Sequence, residues 1–174
     1  MKVKLSVVLI LFAALFSVWY LVPKPYETTL EGAYYQLGND TVFENVKIHL
    51  DGKLQNHWNG TRTFKGSVSF EGKGIPKIPE DQTELLLYYQ GGNFSPIFSG
   101  YKVNGGIAVP MIYHFGMLYT NDRFTQFSLT LFSGEPRTWL PSNGFVIAAP
   151  AQTREEALRI SQKLMKKFDI SITK

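Results

Sequence analysis

The chain has 174 residues, with 18 Lys and Arg against 14 Asp and Glu, a net charge of +4 and no cysteine. Lys2 and Lys4 account for two of those charges, and the remaining excess of +2 is scattered rather than gathered into the basic stripe of a nucleic-acid binder. Without cysteine there is no disulfide framework, thiolate zinc site or lipoprotein anchor, so a domain of this length must be held by its own core.

Met1-Lys2-Val3-Lys4 leads into an uncharged apolar run from Leu5 to Val22, closed by Pro23-Lys24-Pro25. At ~1.5 Å per helical residue the run measures about 27 Å, near the thickness of a bilayer's hydrocarbon core. A cleaved signal peptide has a shorter apolar stretch and a small-x-small cleavage site. Here Ala13 and Ala14 are adjacent, and Ser17 has Leu15 two residues before it. A retained signal anchor is therefore expected: a transmembrane helix over 1–22, a membrane-proximal linker over 23–30 and an extracytoplasmic domain over 31–174. Lys2 and Lys4 against Lys24 place the N-terminus in the cytoplasm and the domain outside the plasma membrane, in a bacterial cell envelope. Trp19 and Tyr20 fit either an interfacial aromatic belt or plain apolar filling of the helix.

Beyond the run, apolar and polar residues alternate between turn residues, which predicts half-buried antiparallel strands. In Glu44 to Asp51, Val46, Ile48 and Leu50 share one face, and Asp51-Gly52 reads as a hairpin turn ending the strand. Gln55 to Arg62 is polar and reads as a loop carrying His57 and Trp58. Thr63 to Glu71 is a second strand, with Phe64, Val68 and Phe70 on one face. Gly72 to Asp81 is a connector, and Glu84 to Gln90 reads as a strand covered on both faces. Pro96 to Val103 and Ile107 to Tyr113 flank a turn at Asn104-Gly105-Gly106. Gly116 to Thr120 and Phe124 to Phe132 flank another at Asn121-Asp122, with Phe127, Leu129 and Leu131 on one face of the latter. In Tyr34-Tyr35 and Tyr88-Tyr89, one ring of each pair should point inward.

Phe145 to Ala149 is a buried strand, and it leads into the clearest helix of the soluble part. Thr153 is the expected N-cap, with Glu156 as capping-box partner and Lys163, Lys166 and Lys167 near the C-terminal end of the dipole. Ala157, Ile160, Leu164 and Phe168, flanked by Leu158 and Met165, form a core-facing stripe. Asp169 to Thr173 reads as a short strand. The predicted class is thus α+β: an N-terminal transmembrane helix and one β-rich, mainly antiparallel domain with a C-terminal strand-helix-strand unit.

Chemical motifs are sparse. His49 and Asp51 share the polar face of one strand, a spacing suited to acid/base groups or metal ligands but equally to a solvated strand end. A zinc site would need His49, His57 and His114 to converge. Neither G-x-S-x-G nor S-x-x-K occurs, and Gly72-Lys73-Gly74 and Gly91-Gly92 lack P-loop or dinucleotide spacing. No cofactor is implied. Asn39, Asn59 and Asn93 begin Asn-x-Ser/Thr triplets and read as surface loops. Trp58 with His57, and Trp139 between Thr138 and Pro141, stand where a core would not gather them, so these three residues are the candidate binding residues. The expected function is a non-enzymatic domain binding an envelope component or a membrane protein. The alternative is a small envelope hydrolase or wall-processing enzyme.

Overall fold

A computed structural model describes residues 2–100 and 112–172, with side chains from residue 9 onward. After helix α1 (Lys2–Leu21) come eight strands: β1 (Lys24–Gln36), β2 (Asn39–Asn56), β3 (Arg62–Glu71), β4 (Leu85–Tyr89), β5 (Phe94–Gly100), β6 (Ile112–Thr120), β7 (Phe127–Leu131) and β8 (Phe145–Ala149). Helix α2 (Arg154–Met165) and a 3-10 turn (Lys166–Phe168) complete the order. Each strand pairs antiparallel with the next, and β8 returns to β1 from Ala33↔Ala148 to Gln36↔Phe145, closing an up-and-down barrel. Closure removes the sheet edge that would otherwise invite pairing with another chain.

The alternation read from the sequence sorts residues between inside and outside. Tyr34, Val46, Ile48, Leu50, Phe64, Val68, Leu87, Tyr89, Ile97, Leu129 and Ile147 belong to the interior cluster. Eight strands enclose just enough room for side chains to fill, and the remaining apolar void has about 10 Å³, room for roughly one water. Phe124 plugs one end. It is fully buried at φ 54, with ring centroids 4.8 to 5.3 Å from Phe127, Tyr89 and Phe64.

A second core lies outside the barrel, where α2 covers parts of β1, β6, β7 and β8. Ala33, Ala148 and Ala157 are fully buried there, because small residues on both surfaces let the helix approach the sheet closely. Ser128 and Thr130, which alternate with Phe127, Leu129 and Leu131 along the strand, are buried on the side of β7 against which α2 packs. Ser128 donates to Ser161 Oγ at 2.7 Å, satisfying one of the hydroxyls in that layer.

Several expectations change. Among the described residues no helix is long and apolar enough to cross a membrane. The single-pass span is thereby overturned, and with it the plasma-membrane location and the orientation built on it. Residues 24–30, expected as a linker, lie in β1, which pairs with β2 from Lys24↔Leu54 onward.

Asp51-Gly52 is not a turn, for β2 runs on to Asn56. Gly52 lies directly opposite Gly66 on β3. A Cβ on Gly52 would stand 2.6 Å from the Gly66 Cα and 2.9 Å from the Phe64 ring, so the glycine serves close approach and not reversal. β4 is covered on one face, since Leu85, Leu87 and Tyr89 are buried while Tyr88 is exposed. The turn expected at 104–106 lies outside the described residues.

The strand-helix-strand unit is also corrected. Asp169 takes a left-handed conformation (φ 57) and residues 170–172 form no strand, because a barrel closed by β1 and β8 leaves no edge for a ninth strand to join. Ile172 is instead buried in the α2 layer, and its carbonyl accepts from Gln162 Nε2. Thr153 caps the helix as expected, with Glu156 N donating to Thr153 Oγ1 at 3.2 Å, while the Glu156 carboxylate reaches one residue past the cap and accepts from Gln152 N at 3.0 Å. The buried stripe comprises Ala157, Leu158, Ser161, Leu164 and Met165, and Ile160 sits at its margin.

Candidate functional site

Up-and-down topology sends alternate loops to opposite ends of the barrel, and this separates the candidate binding residues. His57 and Trp58 occupy the β2–β3 turn, at the end where α1 enters and Phe124 plugs the interior. Trp139 lies in the β7–β8 loop at the other end. Its indole N–H donates to the Phe145 carbonyl at 3.2 Å and the ring packs on Gly144, the geometry of a loop ring folded back on its own strand.

The β2–β3 turn is built by local hydrogen bonds. Thr61 donates through both its N–H and its hydroxyl to Asn59 Oδ1, and Thr41 does the same to Asn39, so turn chemistry accounts for both Asn-x-Thr triplets. His57 N donates to the Thr61 carbonyl, and its Nε2 lies 3.1 Å from Thr63 Oγ1. This leaves Trp58 at the tip, 66% exposed, with its ring centroid 5.9 Å from that of Tyr20 on α1. Asn56 donates to the Tyr20 carbonyl, and Lys24 Nζ sits 3.4 Å from the centroid of the Trp19 ring. The helix itself exposes Leu9, Ile10, Leu11, Phe12, Leu15, Phe16 and Val18, with Ser17 the one polar residue among them and turned to the Ala13 carbonyl. Trp58 and α1 thus share one apolar surface.

His49 faces outward on β2, flanked by β1 and β3. Thr29 Oγ1 lies 2.8 Å from its Nδ1. Glu71 Oε1 lies 2.9 Å from its Nε2, at ion-pair distance but off the direction of a hydrogen bond. A hydroxyl, an imidazole and a carboxylate are therefore aligned across three strands, beside a groove of about 750 Å³ bordered by Glu31, Glu44, Lys47, Glu71 and Lys73. Thr29 and Glu71 were not legible as His49's partners, since only the strand register brings residues 20 and 22 positions away to its sides. Asp51 does not join them. It stands opposite Glu27 and Ser67 and is exposed. His57 and His114 lie elsewhere, on the β2–β3 turn and on β6, and among the described residues no cluster of His, Asp and Glu could hold a metal ion.

Ionisable groups outside this row are tuned by burial and pairing. Burial pushes the Tyr35 phenol up to about 12, partly offset by Ser161 and the Arg154 guanidinium. Asp122 is lowered below the usual carboxylate range by the hydrogen bond from Asn93 and then by Lys167, contacts that join two turns and the 3-10 turn after α2. Comparison with protein-family models, curated proteins and solved structures finds no match to this chain.

Proposed function

We infer that the chain is a binding module that attaches to a protein partner through the apolar surface of α1 and Trp58. The supporting observation is the continuity of that surface: a helix apolar on every described face ends against an exposed indole. A helix apolar all round is stable in water only when something covers it, and a partner's apolar groove supplies such cover. Trp58, pre-positioned by the Asn59 turn, is the anchor expected to concentrate binding energy.

The test places a photo-crosslinking residue at Phe16 or at Trp58 in the full chain expressed in its native cell. Both positions should give one adduct of the same mass, and Trp58→Ala should reduce the Phe16 adduct at least about tenfold, as an anchor worth roughly 2 kcal/mol would. Adducts that differ between the positions, or none, would sink the reading. A hydrolytic reading has its own support in Thr29, His49 and Glu71, because an imidazole between a hydroxyl and a carboxylate at ion-pair distance brings together the groups of an activated nucleophile. Ester turnover by the full chain that Thr29→Val and His49→Ala both abolish would favour it.

A further inference from the structure

The segment 72–84 links β3 to β4 without helix or strand, crossing the end of the barrel opposite Phe124. Irregular connections of this length in compact domains are uncommon and tend to be functional. Both of its ends are fixed. The Glu44 carboxylate accepts from the backbone N–H groups of Lys73 and Gly74. At the other end, buried Gln82 accepts from Ser99 Oγ at 3.1 Å, and Thr83 and Gly100 exchange bonds of 2.8 and 3.0 Å. The middle, Ile75-Pro76-Lys77-Ile78-Pro79, holds Ile75 and Ile78 partly buried against the barrel core.

Between this strap and the barrel lies a recess of about 370 Å³, at the lower end of the range for small-molecule sites. Its walls include Ile75 and Ile78 on the strap, Leu85, and the stacked rings of Phe70 and Phe115, whose centroids are 5.4 Å apart. Phe70 also lines the interior void, so the recess and the barrel core share one wall. Lys77 is the charged residue among the lining, and among the described residues no carboxylate pairs with it. An apolar slot with one cation at its rim complements a molecule with an aliphatic tail and an anionic head.

We propose that this recess binds a small aliphatic carboxylate, with its tail between the strap isoleucines and the Phe70–Phe115 pair and its head at Lys77. The site stands apart from α1 and Trp58, which lie at the opposite end of the barrel. The tail gains the transfer free energy of burial, and the head gains one exposed ion pair of modest worth.

Titration of the full chain, methyl-labelled at isoleucine, with sodium decanoate tests this directly. The Ile75 and Ile78 methyl resonances should shift saturably. Lys77→Gln should weaken decanoate roughly two- to fivefold, the worth of one exposed ion pair, while leaving decanol unaffected. Ile78→Asp should weaken both ligands at least about tenfold by setting a charge against the tail. Absence of a saturable shift at millimolar decanoate, or shifts confined to the Ile10 methyl of α1, would overturn the proposal. Equal loss of decanol and decanoate in Lys77→Gln would overturn the assignment of the head group.

Discussion

Tyr35 places a phenol beneath α2, where it is fully buried and its hydroxyl, facing Ser161, meets no partner at hydrogen-bond geometry. Its folded-state value of about 12 exceeds the ordinary value of 10.0, so the folded chain binds the phenolic proton more tightly than the unfolded chain. The stability this contributes is complete below pH 10 and is lost as the pH rises from 10 through about 12. Chemical denaturation across that window should show wild type losing more stability than Tyr35→Phe. The variant should be within about 1 kcal/mol of wild type at pH 7, because an unpaired hydroxyl is removed with little change of shape. Parallel curves for the two proteins up to pH 12 would refute the burial argument. The same scale explains Asn39 and Asn59, whose side chains satisfy turn backbone and so belong to local folding chemistry.

Helix α2 shows what element-level patterning conveys. Thr153, Glu156 and the apolar spacing were readable because a cap needs particular side chains at fixed offsets. Thr153→Ala should cost about 1 kcal/mol and lower the melting temperature by a few degrees, measurable by thermal denaturation. Leu158→Asp, which sets a charge against the outer face of the barrel, should prevent stable folding, whereas Ile160→Asp at the margin should be tolerated far better. Equal effects of the two substitutions would mean that the stripe faces another way. Sequence spacing alone placed Ile160 within the stripe, beside Ala157, Leu164 and Phe168. The stripe's true centre includes Ser161, a residue that hydrophobic pattern passes over and that the Ser128 hydroxyl makes compatible with burial.

For the whole molecule, the start of β1 is the sharpest test. Tyr26 packs edge-on against Phe64 and Phe124, and Lys24 to Glu27 pair with β2 opposite Leu54 to Asp51. A chain of residues 23–174 should melt as the full chain does. Removal of residues 1–27 strips a half-buried ring and part of the ladder, and should cost about 1–3 kcal/mol, or several degrees of melting temperature. Coincident melting of the two truncations would show that β1 contributes nothing before Thr28.

The sequence by itself determined the β-rich class, the inner faces of β2, β3 and β7 and the cap of α2. Each is written in a local period or a fixed offset, and half-burial enforces that period residue by residue. Closure of the sheet was decided only by tertiary structure, because β1 meets β8 across more than a hundred residues and no local pattern encodes that pairing. Closure in turn excluded the expected final strand and turned the outer face of β7 into a second core. The role of Gly52 likewise depended on its partner, for beside Asp51 it reads as a turn, and opposite Gly66 and the Phe64 ring it is a point of close approach. The row through Thr29, His49 and Glu71 and the recess under the strap share that origin, since both join residues whose proximity is a matter of register and closure.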